Sequence, residues 1–405
     1  MADPDSHHSA PDRPGSAGEV FIAFLKLGLV SFGGPVAHLG YFNDAFVARR
    51  KWLTASAYAE IVALCQFLPG PASSQVGFAI GLSRAGWRGG LAAWCGFTLP
   101  SALLLFAFFS ASASLHGDAA ANALHGLKLV AVAVVAQAVW GMARMLTPDL
   151  GRIAIAVAGA ATVLFVGGAF GQIAAILLGG AAGLILCQGL FAPVTGRVGT
   201  PVSPAMGAVL LTAFVLLLLG LPLAAGQSHM LAVFEAFYRS GALVFGGGHV
   251  VLPLLHDALV APNWITPESF LAGYGAAQAV PGPLFTVAAY LGAGMTLWPN
   301  GAAGAAVALA GIFLPGLLVM AGALPFWDRF RTGVKAQAMM RGVNAAVVGL
   351  LAAALYDPLW KYAVLDWTDV ALVLAGLGLM TVGKAPPLLV VVFLVVAAMA
   401  AGLLV

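Results

Sequence analysis

The chain has 405 residues, of which 61% are hydrophobic and only 8% charged, with a mean hydropathy of +0.99. A soluble globular protein carries about 25% charged residues, so a soluble enzyme, a nucleic-acid binder and a disordered scaffold are excluded together. The formal net charge of +3 is too small to imply a polyanionic partner, and apolar stretches of about 20 residues recur along nearly the whole chain, as a multi-pass membrane protein requires.

In chain order, residues 1–19 are polar and Pro-rich and read as a disordered tail, because no basic region leads into a small-residue cleavage site. Apolar segments then fall at 20–39, 58–82, 91–110, 123–142, 153–170, 172–191, 206–223, 231–254, 270–294, 302–326, 339–356, 370–380 and 386–405. The expected fold is all-α and polytopic. Cys65, Cys95 and Cys187 lie in apolar segments with no CxxC or Cys/His cluster, so no metal site is expected. Signatures for ATP phosphates, a zinc protease or a serine hydrolase are lacking, and the chain reads as neither an enzyme nor a cofactor protein.

The sequence repeats itself. Phe24, Lys26, Gly28, Phe32, Gly33 and Gly34 recur 213 residues later as Phe237, Arg239, Gly241, Phe245, Gly246 and Gly247. Trp52, Thr54, Gln66, Pro69, Gly70 and Pro71 recur 212 later as Trp264, Thr266, Gln278, Pro281, Gly282 and Pro283. Pro100 matches Pro315, and His125-Gly126 matches Arg341-Gly342. The expected organisation is a first repeat over 20–195, a linker over 196–230 with one transmembrane helix, and a second repeat over 231–405.

Basic residues set the expected topology, since cytoplasmic loops collect Lys and Arg. The loop of Arg49, Arg50 and Lys51 corresponds to residues 256–263, which hold no Lys or Arg, and the loop of Arg84 and Arg88 corresponds to 298–301, also without any. Conversely, residues 111–122 hold none, whereas their counterparts include Arg329, Arg331, Lys335 and Arg341. The bias inverts between halves, as in inverted-topology repeats. Basic residues flank 58–82 on both sides, which predicts a re-entrant hairpin broken at Pro69-Gly70-Pro71, with its counterpart broken at Pro281-Gly282-Pro283. The first segment of each half is expected to be re-entrant too, broken at Phe32-Gly33-Gly34-Pro35 and at Phe245 to Gly248; the alternative is thirteen plain spans, which would put Arg84 and Arg88 outside.

Broken helices near mid-membrane are tolerated only where protein or a water-filled cavity covers them, so they mark a candidate substrate site. The residues after each break form a helix N-terminus, which attracts anions. Ser73 and Ser74 after the first proline-rich break, and Thr286 after the second, add hydroxyl donors. Gly33, Gly34, Gly246 and Gly247 admit a ligand to the backbone, Gln66 and Gln278 are candidate amide donors, and Lys26 and Arg239 are candidate cations. Arg239 has a candidate neutralising partner in Glu235. Glu60 reads equally as a proton-linked group or an interfacial residue, His125 and Lys128 as helix-end residues, and His38 and His249 as structural.

The Phe-Gly-Gly-Pro run at 32–35 after a Lys-containing helix, Trp-Leu-Thr at 52–54, and Cys-Gln-Phe-Leu-Pro-Gly-Pro-Ala-Ser-Ser-Gln at 65–75 resemble the chromate transporter family. Phe-Gly-Gly-Gly-His at 245–249 and Gln-Ala-Val-Pro-Gly-Pro at 278–283 are similar to that family's other domain, so the chain resembles a long, two-domain member. The resemblance implies chromate efflux across a bacterial inner membrane and chromate resistance. Two departures stand out: Pro35 becomes Gly248, and Ser73-Ser74 becomes Phe285-Thr286, so the halves are expected to contribute unequally. The expected partners are chromate or a sulfate-like oxyanion and the lipid bilayer, with no nucleic acid and a homodimer left open. Transport or channelling of sulfate or another anion is the alternative, and an intramembrane lipid-handling protein a more distant one. A dianion leaving an inside-negative cell gains about 2.3 kcal/mol per charge per 100 mV, so export needs no coupling ion, and proton antiport stays open.

Overall fold

The repeated Trp-x-Thr motif starts a helix in each half. Thr54 Oγ1 accepts from Ala57 N–H, and Thr266 Oγ1 accepts from Ser269 N–H, both at 3.2 Å, the bond an N-cap hydroxyl supplies. The computed structural model describes residues 15–112, 117–188, 202–327, 329 and 333–402, and its described secondary structure is helical throughout. The first half comprises α1 (Ala17–Val30), α2 (Gly34–Phe42) running into a π-helical turn (Asn43–Arg49), α3 (Ala55–Phe67), α4 (Ala72–Ser112), α5 (Asp118–Leu146), α6 (Leu150–Val166) and α7 (Gly168–Leu186). Helix α8 (Pro204–Ala224) follows. The second half comprises α9 (His229–Ala242), α10 (Val251–Leu259), α11 (Pro267–Ala277), α12 (Val287–Ala293), α13 (Gly301–Ala323), α14 (Val334–Ala354), α15 (Trp367–Thr381) and α16 (Pro387–Gly402).

Helix α1 begins inside the stretch read as a tail, because Ser16 caps it through Glu19 N–H and Glu19 pairs with Arg84 at 3.3 Å. The rest of that tail, residues 1–14, and most of the expected linker before α8 lie outside the described residues. Six described helical runs, Ala72–Ser112, Asp118–Leu146, Gly168–Leu186, Pro204–Gln227, Gly301–Phe326 and Val334–Ala363, are long and apolar enough to cross a bilayer. The protein is an all-α polytopic membrane protein. The apolar window of α8 has no buried residue, so this helix sits at the outside.

The ends of the broken segments meet. Helix α4 is interrupted at Ala85 and Gly86, and the guanidinium of Arg84, just before that point, lies 5.2 Å from the Trp52 ring centroid, while Arg50 lies 5.4 Å from the same ring. Arg84 also accepts a backbone bond from Gly15 N–H at 3.1 Å. The start of α1, the loop before α3 and the interruption of α4 therefore share one end of the molecule, so residues 17–49 and 55–84 each run inward and return. The second half repeats this arrangement. The ring of His229, at the start of α9, packs edge-on against Trp264 at 4.7 Å, and Thr296 N–H donates to the Trp264 carbonyl at 3.0 Å. At 1.5 Å per residue, the 13 residues of α3 reach only about 20 Å, short of a full crossing.

Reciprocal packing joins the halves. Helix α1 packs on α4 and α9 on α13, while α5 packs on α15 and α16 of the other half and α14 packs on α6 and α7. Glycines permit these contacts: a Cβ on Gly28 would sit 2.9 Å from the Phe97 carbonyl, and one on its counterpart Gly241 would collide with the Ile312 carbonyl. Likewise Gly126 meets Val395 Cα and Gly342 meets Gly183 Cα, close approaches that small residues allow between membrane helices. His125 Nε2 lies 2.7 Å from Asp369 Oδ1 and ties α5 to α15.

These shared ends predict a labelling pattern. In a cysteine-free background, single cysteines replacing Arg50 and Gly86 are expected to react with an impermeant maleimide from one side of the membrane. Cysteines replacing Val260 and Pro299 are expected to react only from the other. Labelling of positions 50 and 86 from opposite sides would break the hairpin topology.

Candidate functional site

The four helix breaks come together between the halves. Gly70 N–H donates to the Val244 carbonyl at 2.8 Å, and Gly282 N–H donates to the Ser31 carbonyl at 2.8 Å. Val244 stands 213 residues after Ser31, and Gly282 stands 212 after Gly70, so the two bonds are repeat-related. Each proline-rich break is thus tied to the carbonyl at the end of the other half's first helix. A Cβ on Gly248 would sit 3.6 Å from Pro35 Cγ, and these residues are also repeat-equivalent, so the pseudo-two-fold passes between them.

Gly70 and Gly282 have φ of 120° and 104°, in the region that L side chains disfavour. A Cβ on Gly70 would approach Gly316 Cα to 2.9 Å, and one on Gly282 would approach Ser101 Oγ to 2.9 Å. Gly316 and Ser101 are themselves equivalent positions. Gln75, wholly buried, staples the first break further: its Nε2 donates to Pro69 O at 2.7 Å and to Gly316 O at 3.1 Å. His38 Nε2 donates to the Ser31 carbonyl at 3.2 Å and supports the acceptor of Gly282.

The candidate donors fall unequally. Ser73 and Ser74, on the first turn of α4, are 3% and 2% exposed, and Ser74 Oγ has no hydrogen-bond partner among the described residues. Thr286 Oγ1 instead donates to the Pro283 carbonyl at 2.7 Å, which satisfies it internally. Gln66 is exposed, whereas Gln278 Nε2 lies 3.4 Å from the Tyr274 carbonyl. His249 Nδ1 is bonded to Tyr274 OH at 2.8 Å. Gly33 and Gly246 are both exposed. A Cβ on Gly33 would meet only Ala37 of its own helix and one on Gly34 would meet nothing, whereas Gly246 and Gly247 have Met142 within 3.4 Å.

Lys26 and Arg239 do not meet. Arg239 Nε donates to Glu235 Oε1 at 2.6 Å, and Glu235 is 8% exposed. Lys26 lies on the exposed face of α1 in a separate cavity with Asp44, Arg49 and Arg50, whose lining includes no break residue. Glu60 is buried, and its Oε2 accepts from Trp327 Nε1 at 2.6 Å, anchoring α3 to the end of α13. His125 and Lys128 are interior to α5 rather than at its end. Lys128 is half-buried there with no hydrogen bond or ion pair among the described residues.

Two expectations follow. Gly70→Ala and Gly282→Ala each are expected to abolish transport while the protein still reaches the membrane, since each strains a left-handed residue against backbone or an adjoining side chain; wild-type flux in both variants, measured at equal membrane abundance, would remove the breaks from the site. Arg239→Gln, which leaves Glu235 buried and unpaired, is expected to destabilise the protein by about 3–5 kcal/mol, and Glu235→Gln in the same chain to restore most of that. Thermal unfolding in detergent reads both. A double variant as unstable as Arg239→Gln would give Arg239 a role beyond this pair.

The profile of the chromate transporter family matches residues 18–184 and again residues 231–403. The chain is 29% identical over 364 residues to a chromate transport protein of Pseudomonas aeruginosa, covering 87% of this chain and 83% of that protein. It is 28% identical to a probable chromate transport protein of Synechococcus elongatus, over 82% of this chain and 81% of the relative. It is 26% identical to a chromate transport protein of Cupriavidus metallidurans, over 93% and 90%. No solved structure matches the fold. With both halves matched by one profile, the two matches together spanning most of its length, the chain belongs to the chromate transporter family.

Proposed function

We propose that the protein is a secondary transporter of the bacterial inner membrane that exports chromate from the cytoplasm and thereby gives chromate resistance. The observation that carries the reading is the first turn of α4. There Ser74 presents a buried hydroxyl without a partner among the described residues at a helix N-terminus, directly after a break fixed by the Gly70 to Val244 bond. A tetrahedral oxyanion offers acceptors to that hydroxyl and to the free N–H groups of the turn. Pro69, Gly70 and Pro71 shape this cradle, with Gly33, Gly34 and Gln66 on its open side. Pro281, Gly282, Pro283, Gly246, Gly247 and Gln278 build the opposing wall.

The halves differ in how tightly their hairpins seat. Residues 270–277 of α11 are buried without interruption, and Gly275 lets α11 approach the Leu127 carbonyl of α5 too closely for any side chain. The equivalent of Gly275 is Ala63, whose methyl group forbids that approach, and α3 buries only one stripe. In this reading the second-half hairpins are the fixed wall, and the first-half hairpins, at the basic end, are the gate facing the cytoplasm.

The test is anion flux in proteoliposomes containing only this protein, with membrane potential and pH gradient imposed separately. Chromate is expected to leave the negative compartment under potential alone. Ser74→Ala is expected to cost about 1.5–3 kcal/mol of anion binding, the range for a hydrogen bond to a charged group, and so to raise KM about ten-fold or more. Flux no greater than in protein-free vesicles would overturn the proposal, flux only under a pH gradient would replace the uniport by proton exchange, and equal competition by sulfate would widen the substrate to divalent tetrahedral oxyanions.

A further inference from the structure

The cavity beside Lys26 stands apart from the breaks. Its volume is about 300 Å³, and Lys26, Tyr41, Asp44, Arg49, Arg50 and Val30 line it. Asp44 is already bonded to Arg49 at 2.8 Å, so the group carries a net charge of about +2 at neutral pH. Lys26 forms no ion pair or hydrogen bond among the described residues. Val30, which lines the cavity, is 57% exposed; on the same helix Ile22 and Leu29, about one turn to either side of Lys26, are each 54% exposed, and Val36 at the start of α2 is 82% exposed. Cations beside exposed aliphatic side chains, at one end of a membrane protein, match the phosphate and acyl parts of a phospholipid.

The other half supplies an internal control, because the pseudo-two-fold builds the same α-helical frame there. At the positions of Arg49 and Arg50 stand Ala261 and Pro262, and at that of Tyr41 stands Leu254. Arg239, the equivalent of Lys26, is neutralised by Glu235. The frame alone therefore does not make a basic pocket. Topology signals account for Arg49, Arg50 and Lys51 in the loop, but not for a partnerless lysine about two turns along an apolar helix, facing them across a cavity.

We infer that the Lys26, Arg49 and Arg50 pocket binds the phosphate of an anionic phospholipid headgroup in the cytoplasmic leaflet, with the acyl chains lying along Leu29, Val30 and Val36. The same cations suit a free tetrahedral oxyanion, and the two sources separate in solution. The inference does not depend on what the breaks transport.

The experiment uses the full chain in detergent, with native mass spectrometry for retained lipid and thermal unfolding for stabilisation. Its probes are phosphatidylglycerol, zwitterionic phosphatidylcholine, and inorganic phosphate or sulfate at millimolar concentration. Phosphatidylglycerol is expected to be retained preferentially and to raise Tm, with phosphatidylcholine and the free anions having little effect. The Lys26→Gln/Arg50→Gln variant is expected to lose at least ten-fold in phosphatidylglycerol affinity, while Arg88→Gln, which removes a charge from the same end outside the pocket, leaves that affinity within about two-fold. Stabilisation by inorganic phosphate or sulfate equal to that by the lipid, and lost in the double variant, would overturn the lipid assignment in favour of a free-anion site. Equal retention of both lipids, or an equal loss in Arg88→Gln, would overturn the pocket altogether. Should the double variant fail to fold, Tyr41→Phe with Lys26→Gln keeps the loop arginines and reads the same preference.

Discussion

A helix broken inside hydrocarbon leaves backbone N–H groups with no water to bond, at several kcal/mol each, and this protein contains repeated breaks of that kind. Its answer is reciprocal. The Gly70 N–H finds the Val244 carbonyl and the Gly282 N–H finds the Ser31 carbonyl, so each half completes the other's break, and neither half carries the acceptor for its own. The exchange of α5 and α14 between halves follows from the same need. Two repeats laid side by side would leave the breaks facing lipid; interlocked repeats bury them against each other. Gln75 and His38 then brace the two sides, one at the Pro69 carbonyl and one at the Ser31 carbonyl.

Much of this was legible in the sequence, because rare residues carry it. Proline and glycine cannot hide in an apolar helix, so the Pro-Gly-Pro breaks showed where the helices stop; the repeated Trp-x-Thr reads in the sequence only as part of the repeat, although its threonines cap the helices that follow. The flanking arginines indicated that 55–84 returns to its own side, and the stacking of Arg50 and Arg84 on one tryptophan gives that return a physical form. The start of α1 was missed although Ser16-x-x-Glu19 is a local capping pattern; what the sequence could not show is the pairing of Glu19 with Arg84, far along the chain. Nor was the crosswise bonding, because backbone partners leave no mark in side-chain identity. Lys26 and Arg239 matched in sequence yet have different surroundings, for only Arg239 has a carboxylate one turn away.

The departures from symmetry are as informative as the symmetry. Gly275 seats α11 on α5, and one methyl group at Ala63 denies α3 the same seat on α14. Thr286 bonds its own break, whereas the Ser74 hydroxyl has no partner among the described residues. The cations gather at the end of the first half and are missing or paired at the end of the second. At the breaks these differences point the same way, toward a more closely seated hairpin in the second half and more exposed charge in the first.

The charge state of the empty site matters for a transporter of dianions. Had Lys26 and Arg239 both entered it, the unloaded site would hold two like charges in a low-dielectric setting, and its return across the membrane would move charge against the potential. The break residues carry no formal charge, and Arg239 is neutralised by Glu235. In the proposed reading the unloaded protein therefore resets without electrical work, and the potential acts only on the loaded form. At about 2.3 kcal/mol per charge per 100 mV, a dianion then gains about twice that on leaving an inside-negative cell. In that reading the membrane potential supplies the direction that binding by neutral donors does not.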